Sequence, residues 1–476
     1  MGLFSFLFGG KYPSTKSYEN KCIKHEADYK RFLEFEKSQS LARYNELKAL
    51  LATSDFQAKV NKLKNEKYSD TEASKKESEY NGLASSSDIK SFLYVQKKVE
   101  PKLNSALASQ NYATYLELQP VVESSEFKEK MAVKGFKKTE DYQVYKRYKK
   151  AAKSGEVKYI NKVQPSQIYK NYLATKSGDR LKRYYELKEY VSSQEFISFK
   201  AEMTDKKRFQ KSDEYKLITE FESFSKDKEI VWYNKSKEAN AFADVAKWRL
   251  TFQDEFDGNA LDSNKWTFGY YWGQALSGSV YSLEQEKQAF QKGNVTVSDS
   301  EMTILTRKEF VHGTAWGVPS GFQEKDFEFT SAVVNTGASF RQKYGRFDFK
   351  VKFNFTKPLT HNIWLAGEKS VPQINVVNFG SLKKNQIETG VVSKNGEKDE
   401  ILGGTNFSDG YYIISLLWTP EKLVWSVNGV EVHTIRGVIP QEEMYIALSS
   451  NLTEGAPKLK ESAMTLDWVR VYTWQE

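Results

Sequence analysis

The sequence predicts an α-helical N-terminal region followed by a C-terminal β-sandwich. Residues 18–247 contain few prolines and glycines and many Lys, Glu, Ala and Leu, which favour helices. From Trp248 onward, apolar and polar residues alternate. The alternating segments are separated by turn sequences such as Asp257-Gly258, Lys394-Asn-Gly396 and Val427-Asn-Gly429. Short strands with regular turn signals are typical of a β-sandwich.

The length of 476 residues allows two or three domains with sizeable cores. We therefore divide the chain into an apolar N-terminal segment at 1–17, helical repeats at 18–247 and a β-sandwich at 248–476. Aromatic residues make up 14% of the chain, and this fraction argues against general disorder.

The first eight residues, Met1 to Phe8, are apolar but do not form a classical signal peptide. A basic region and a small-residue cleavage site are missing, the apolar run is too short to cross a bilayer, and Phe6 stands where myristoylation requires Ser or Thr. The segment either docks into a protein partner or its own domain, or has no function. We expect a location in the cytoplasm or in a virion or other assembly, with export by another route as the alternative.

The charge and the metal-binding residue types exclude several function classes. The net charge is +9, but Lys and Glu alternate in the basic first half, which favours a solvated helical surface over nucleic-acid binding. Cys22 is the single cysteine, so neither an intramolecular disulfide nor a cysteine-based metal cluster can form. His25, His312, His361 and His433 lack metal-ligand spacing. We expect no cofactor and no metal.

The helical region repeats at intervals of about 70 residues. Three segments of the type Tyr-x-Glu-Leu begin at Tyr44, Tyr115 and Tyr184. Each is followed by a polar, acidic, Phe step, namely Ser54-Asp-Phe56, Ser125-Glu-Phe127 and Gln194-Glu-Phe196. Further recurring elements are Glu79-Tyr80, Asp141-Tyr142 and Glu214-Tyr215, and then Ser87-Asp-Ile89, Gly155-Glu-Val157 and Lys228-Glu-Ile230.

These steps have a physical interpretation. A Ser followed by an acid caps the free N–H groups of a helix and favours its dipole, and the Phe or Ile behind it enters the core. A helix with one apolar face must pair or stack to bury it, so we predict an array of helical hairpins, two per unit. A coiled coil is the alternative, but no sustained heptad is present. The expected role is spacing, assembly or protein-partner binding.

The β-rich part contains an ordered set of strand sequences that is similar to a known family. The set begins with Leu250-Thr-Phe-Gln-Asp-Glu-Phe-Asp-Gly258 and continues through Phe340-Arg-Gln-Lys-Tyr-Gly-Arg-Phe-Asp348 to Leu466-Asp-Trp-Val-Arg-Val-Tyr472. Residues 248–476 resemble glycoside hydrolase family 16, the laminarinase and lichenase group. The resemblance implies a two-sheet jelly roll of the concanavalin A type with a sugar-binding cleft on its concave face.

The catalytic motif of that family is Glu-x-Asp-x-x-Glu, and here the corresponding segment is Gln373-Ile-Asn375-Val-Val-Asn378. The resemblance implies that Gln373 stands at the nucleophile position, Asn375 at the helper and Asn378 at the acid/base. Positions n and n+2 share a strand face, and a bulge brings n+5 to it. Retaining hydrolysis needs two carboxyl groups, and an amide provides neither the charge nor the proton. The sequence therefore predicts a protein that is not an enzyme.

Acids near this segment offer no obvious replacement. Glu368 precedes the predicted strand, and we expect Glu388 and the acids of Glu397–Glu400 in later turns. The late Asp467 matches a position that some family members use for a structural calcium ion, but no cluster of oxygen ligands accompanies it.

A glycan could still bind at such a site, because amides both donate and accept hydrogen bonds and aromatic faces stack on sugar rings. The candidate residues are Trp272, Trp316, His361, Trp364, Gln373, Asn375 and Asn378. By the resemblance, Tyr270 and Tyr271 also flank the cleft. The alternative for His361 is a structural role in a turn. Trp418 and Trp425 lie either at the cleft or in the core.

Three functions remain after the sequence analysis. The first is a non-catalytic glycan-binding module on a helical spacer. The second is a structural or assembly component of a virion, surface layer or secretion apparatus, without sugar binding. The third, disfavoured by the amides, is an active endo-β-glucanase.

Overall fold

The computed structural model describes residues 12–272, 278–394 and 396–475. The predicted docking segment Met1 to Phe8 and Asn395 of a predicted turn lie outside these ranges. By their contacts, the residues form two compact units. One unit is Gln39–Asp227, and the other joins the described residues before Gln39 with the chain from Lys228 onward.

The predicted order of a helical region followed by a β-sheet region is confirmed. The helices of the described residues are α1 (Thr15–Glu36), α2 (Gln39–Leu51), α3 (Ser54–Asn65), α4 (Glu72–Ser85), α5 (Ser87–Tyr94), α6 (Glu100–Leu107), α7 (Gln110–Glu123), α8 (Ser125–Ala132), α9 (Glu140–Ala152), α10 (Gly155–Val163), α11 (Gln167–Lys176), α12 (Asp179–Ser192), α13 (Gln194–Thr204), α14 (Arg208–Lys211), α15 (Asp213–Ser225), α16 (Lys228–Glu238) and α17 (Ala243–Ala246). A π-helical turn at Val95–Val99 joins α5 to α6.

The strands follow without an intervening long loop. They are β1 (Trp248–Asp254), β2 (Thr267–Phe268), β3 (Tyr281–Leu283), β4 (Gln288–Phe290), β5 (Val295–Ser298), β6 (Glu301–Gly317), β7 (Gly321–Ser331), β8 (Val333–Asn335), β9 (Gly345–Phe353), β10 (Thr360–Ala366), β11 (Gln373–Phe379), β12 (Gln386–Ser393), β13 (Gly396–Gly403), β14 (Tyr412–Trp418), β15 (Lys422–Val427), β16 (Val430–Arg436), β17 (Tyr445–Asn451) and β18 (Glu461–Trp474).

Helix starts follow the predicted capping chemistry, with the cap one residue earlier than the polar residue chosen from the sequence. At the start of α3, α8 and α13, a hydroxyl oxygen accepts a hydrogen bond from the backbone N–H of the third following residue, at 3.3, 3.2 and 3.2 Å. The cap residues are Thr53, Ser124 and Ser193, and the N–H donors are Phe56, Phe127 and Phe196. All three Phe rings are buried, so each cap also fixes a core residue.

Within Gln39–Asp227, the helices do not pair in the order of the predicted hairpins. Contacts join α2 to α15, α3 to α14, α4 to α12, α5 to α11, α6 to α10 and α7 to α9. The chain therefore runs out through its first helices and returns alongside them, which makes one nested hairpin instead of consecutive short ones. One physical reason is that α5, the π-helical turn and α6 follow one another directly, so the chain does not turn back there.

In the other unit, α1 packs against α16 and α17, and its Glu19 contacts two strands. The Phe32 and Tyr233 rings stack with centroids 4.7 Å apart. The Glu19 carboxylate accepts hydrogen bonds from Lys350 Nζ at 2.9 and 3.0 Å and from Trp468 Nε1 at 3.1 Å. This helix thus belongs to the unit that contains the sheets.

The strands form two sheets. The order of the eleven-stranded sheet is β16-β15-β14-β9-β18-β6-β7-β4, with β1 beside β18 and with β3 and β5 beside β6. The order of the seven-stranded sheet is β13-β12-β11-β10-β17-β8-β2. The two sheets enclose one large apolar core, in which Phe347, Trp418 and Trp425 of the first sheet meet Ile374 and Val376 of the second. Burying a large apolar side chain contributes about 1.5–3 kcal/mol, so this core dominates the stability of the unit.

The lengths and compositions of the helices show whether any of them could span a membrane. None of those in the described residues is both long enough and apolar enough to cross a membrane.

Candidate functional site

Strand β11 places the three predicted amides on one face of the seven-stranded sheet. Asn375 pairs with Gly390 of β12 and Asn378 with Glu388, so Val376 and Val377 together lie opposite one residue. This is a β-bulge, and it brings Asn378 to the face of Gln373 and Asn375. The residues between them, Ile374, Val376 and Val377, and Phe379 after them are fully buried in the core between the sheets. We call the opposite face of β10, β11, β12 and β17 the amide face.

The three amides differ in exposure and bonding. Gln373 Nε2 donates a hydrogen bond to Asn375 Oδ1 at 2.5 Å, and Trp425 Nε1 donates to the Asn375 carbonyl at 3.1 Å. Asn375 is 6% exposed, whereas Gln373 and Asn378 are half-buried. The two outer amides can therefore reach a ligand on the amide face, and Asn375 supports one of them.

Strand β10 adds a polar residue that the sequence analysis missed. Asn362 lies opposite Asn378 and, on its other side, opposite Ser449 of β17. Its Nδ2 donates to Asn451 Oδ1 at 3.0 Å and to the Thr360 carbonyl at 3.2 Å. A row of polar residues therefore crosses three strands. The signal was the alternation His-Asn-Ile-Trp-Leu, which puts Asn362 on the same face as Trp364.

Two acids lie closer to the amides than the sequence analysis expected. Glu388 and the acids of Glu397–Glu400 lie in β12 and β13 and not in turns, because these strands form a hairpin that extends the sheet. Glu388 lies directly opposite Asn378, and Asp399 lies opposite Gly390. A Cβ added at Gly390 would lie 1.9 Å from Asp399 Oδ1, so this glycine leaves room for the carboxylate.

The environment of Asp399 favours its protonated form. Loss of hydration, together with the hydrogen bond to Glu397 and the charges of Glu397 and Glu388, raises the pKa of Asp399 to about 7. A carboxyl group with such a pKa can donate a proton near neutral pH. Glu368, in contrast, lies ahead of β11 as expected and is paired with Arg341.

The predicted aromatic residues separate into two groups. Trp364 lies opposite Asn375 on the amide face, but it is only 6% exposed because Trp272 and the cluster of Tyr270, Tyr281 and Tyr445 cover it. The centroids of the Trp272 and Trp364 rings lie 6.2 Å apart, and Trp272 remains half-buried. Trp364 therefore supports the surface from below, and Trp272 is the ring that a sugar can reach.

The hydroxyl of Tyr270 fixes this cluster to a buried acid. It donates to Glu286 Oε1 at 2.8 Å, and burial raises the pKa of Glu286. Trp316 lies farther out, on the β6–β7 hairpin opposite Phe322, and it is 38% exposed. Phe322 contacts Tyr281 with centroids 5.3 Å apart, so Trp316 extends the aromatic surface at its edge.

His361, predicted among the sugar-binding residues, does not reach the amide face. Its side chain is fully buried toward the core, because residues 361 and 362 of a strand point to opposite faces. Nδ1 contacts Ser450 Oγ at 2.7 Å and Nε2 contacts the Asn354 carbonyl at 3.1 Å. Burial lowers the pKa of His361 to about 4, so the ring is neutral and serves the fold.

Trp418 and Trp425 lie in the core between the sheets. The sequence had left open whether they lie there or at the cleft. Asp467, which by resemblance matches a position that some family members use for calcium, contacts Lys350 Nζ at 2.5 Å. The ammonium group of Lys350 also binds Glu19, so a lysine supplies the positive charge at this point. Among the described residues, no group of three or more His, Cys, Asp or Glu could hold a metal ion.

The family comparison covers the sheet-containing part of the chain. Residues 283–470 match the family model described as Glycosyl hydrolases family 16. This part of the chain is therefore similar to that family in sequence and has the predicted jelly-roll architecture.

Individual relatives are similar over the same part. Glucan endo-1,3-beta-glucosidase A1 of Niallia circulans is 24% identical over 278 residues, covering 48% of this chain and 39% of the relative. Endo-1,3-1,4-beta-glycanase ExsH of Rhizobium meliloti (strain 1021) is 23% identical over 247 residues, covering 47% and 52%. The chain thus spans about half or less of the length of these relatives.

Among solved structures, the catalytic domain of an endo-1,3-beta-glucanase (laminarinase) from Thermotoga petrophila RKU-1 matches with a TM-score of 0.41. The sequence identity is 19%, and the match covers 48% of this chain and 99% of that chain.

Proposed function

We propose that the family 16-like jelly roll of this chain binds a β-glucan on its amide face without cleaving it, and that the helical part acts as a spacer or contacts a protein partner. The observation that carries the proposal is the placement of Gln373, Asn375 and Asn378 on one face by the β11 bulge. All three positions of the expected catalytic motif thus carry amides on the side where a substrate would lie.

The chemistry of these groups supports binding over hydrolysis. An amide offers a donor and an acceptor to a sugar hydroxyl, but it has neither the charge to stabilise an oxocarbenium-like centre nor an acidic proton. Loss of a general acid alone slows a reaction by about 10²–10⁴-fold. The half-buried Gln373, Asn378 and Asn362 and the accessible ring of Trp272 provide polar and stacking contacts together.

The names of the relatives indicate the ligand class. One is named a glucan endo-1,3-beta-glucosidase and another an endo-1,3-1,4-beta-glycanase, so we propose laminarin and lichenan as first ligands. Affinity electrophoresis in gels that contain either polymer tests this. We expect retardation of the native protein and an affinity about tenfold lower for a variant with Gln373→Ala and Asn378→Ala, because two hydrogen bonds of about 0.5–1.5 kcal/mol each are lost.

The control is Thr434→Ala, an exposed residue of β16 in the other sheet, which should leave retardation unchanged. Equal retardation of the native protein and the amide variant would place the binding surface elsewhere.

A second candidate function is hydrolysis by relocated acids, and the specific observation in its favour is Glu388 opposite Asn378 with Asp399 one strand away. Asp399, with its pKa raised to about 7, has the property of a general acid. We expect no release of reducing ends from laminarin or lichenan. Release that disappears in Glu388→Gln or Asp399→Asn variants would show that the protein is an enzyme.

A structural or assembly role without sugar binding is the remaining alternative. The cover of aromatic residues over Trp364 favours it, because part of the amide face is already filled. If none of laminarin, lichenan, agarose and carrageenan retards the protein and light scattering detects oligomers, this role is supported and glycan binding is rejected.

A further inference from the structure

We propose that three equivalent sequence segments build the helical part, that the first and third exchange their second halves, and that a charge pattern selects this pairing. The first halves are α1–α3, α6–α8 and α11–α13, and the second halves are α4–α5, α9–α10 and α15–α16. The middle segment closes on itself. The inference concerns the fold of the helical part and does not depend on the proposed sugar binding.

The equivalence rests on aromatic stacks that recur with the same geometry. Tyr44 of α2 stacks on Phe221 of α15 with centroids 5.3 Å apart and planes 11° apart. Tyr184 of α12 stacks on Tyr80 of α4 at 5.7 Å and 17°. In the middle segment, Tyr115 of α7 stacks on Tyr148 of α9 at 5.5 Å and 15°. The same contact is therefore made once within a segment and twice between the first and third segments.

The partner positions also correct the sequence alignment. Tyr80, Tyr148 and Phe221 each occupy the ninth position of their helices. The recurring acid-Tyr pairs of the sequence instead align Tyr80 with Tyr142 and Tyr215, which lie six residues too early. The reason is that the recurring element was an acid followed by Tyr, and neither Arg147-Tyr148 nor Glu220-Phe221 has this form.

A second set of contacts shows the same exchange. Leu103, which lies twelve residues before Tyr115, packs in one cluster with Ile160 of the same segment. At the equivalent positions, Tyr172 of the third segment stacks on Phe92 of the first, with centroids 4.8 Å apart. In the unit that contains the sheets, Phe32 of the first segment stacks on Tyr233 of the third at 4.7 Å.

Ion pairs next to the stacks separate the middle segment from the outer two. Arg43 binds Glu220 through two hydrogen bonds of 2.8 and 2.9 Å. At the equivalent positions, Arg183 binds Glu79 through two bonds of 2.8 Å.

The middle segment carries Thr114 and Arg147 at these positions. If α9 paired with α2 or α12, Arg147 would face Arg43 or Arg183. Repulsion between like charges disfavours that arrangement, and the middle segment therefore pairs with itself.

The charges alone would also allow Arg43 to pair with Glu79 of its own segment. The connection between α5 and α6 opposes this, because the π-helical turn continues the helix toward the middle segment. Lys176 of α11 then binds Glu100 of α6 at 2.9 Å, which brings the third segment back to this junction. Chain connection and charge pattern together leave the exchanged pairing.

Charge reversal in the full chain tests the pairing. We expect Arg43→Glu to lower the melting temperature of the helical unit by about 2–4 °C, the shift that a small loss of stability causes in a domain of this size. Adding Glu220→Arg should restore it, because the pair is rebuilt with reversed signs.

The matched control adds Glu222→Arg, which lies on the same helix two residues from Glu220, and it should not restore the melting temperature. The exchange would be overturned if Glu79→Arg, and not Glu220→Arg, restored the melting temperature of the Arg43→Glu variant. It would also be overturned if neither substitution restored it.

Zero-length carbodiimide cross-linking provides a readout that does not depend on stability. Ion-paired lysines and carboxylates are joined, so the monomer fraction should contain links from Lys200 to Glu77 and from Lys176 to Glu100, whose charged atoms lie 2.5 and 2.9 Å apart. The local pair Lys130 and Glu126 within α8 serves as a positive control. Detection of the local link without the two long-range links, or of the long-range links in dimers only, would reject the proposal.

Discussion

At the scale of single residues, Gln373 and Asn378 place uncharged amide groups on the amide face. Each side chain can donate and accept a hydrogen bond with a sugar hydroxyl, yet neither carries a charge. Glu388 lies directly opposite Asn378, so the neighbouring strand β12 provides a carboxylate beside the amides. The residue types of a motif therefore do not settle the chemistry of the surface around it. The Glu388 and Asp399 variants decide between glycan binding without cleavage and hydrolysis.

His361 carries a prediction at this scale. Because burial lowers its pKa in the folded protein to about 4, the unfolded chain with a pKa of about 6.5 binds the proton first as the pH falls. The contribution to stability is complete above pH 6.5 and is lost between pH 6.5 and 4, by about 3 kcal/mol in all. Urea unfolding at pH 7.5 and 4.5 should show a smaller loss in His361→Gln than in the native protein, and an equal loss would contradict the assignment.

At the scale of elements, strand β11 and the helix starts follow local rules that are visible in the sequence. The spacing of Gln373, Asn375 and Asn378 required a bulge, and the strand has one. The polar-acid-Phe steps required caps, and the hydroxyls of Thr53 and Ser193 provide two of them. The acids of β12 and β13 were misplaced, because a polar exposed hairpin has the composition of a loop.

A capping substitution tests the element scale. We expect Ser193→Ala to lower the free energy of unfolding of the helical unit by about 1 kcal/mol, since the backbone N–H of Phe196 loses its acceptor. The control is Ser192→Ala, an exposed neighbour in the last turn of α12. Urea unfolding followed by circular dichroism measures both, and equal effects of the two substitutions would argue against the cap.

At the scale of the whole molecule, the units defined by contacts differ from the segments defined by composition. The sequence placed all helices of 18–247 together, whereas α1, α16 and α17 lie in the unit that contains the sheets. Polar contacts explain the place of α1, because Glu19 binds both Lys350 and Trp468. Tyr18 also packs over Gly429, where a Cβ would lie 2.3 Å from the ring.

Removal of the Glu19 carboxylate tests this attachment. We expect Glu19→Ala to lower the free energy of unfolding of the sheet-containing unit by about 1–2 kcal/mol, because Trp468 Nε1 loses its acceptor and Lys350 keeps only Asp467. Glu34→Ala, an exposed position on the same helix, should have little effect. A change in Glu19→Ala that is no larger than in Glu34→Ala would show that the contact contributes nothing.

The sequence by itself determined the order of helices and strands and the presence of amides at three spaced positions, because periodicity, capping and residue identity are local properties. The jelly-roll architecture was implied by the resemblance of the ordered strand sequences to a family. Only the tertiary structure decided which helices pair, which strand brings Glu388 beside Asn378, and which of His361, Trp364 and Trp272 is accessible. These are contacts between residues far apart in the chain, and their energies depend on the burial and charge that folding creates.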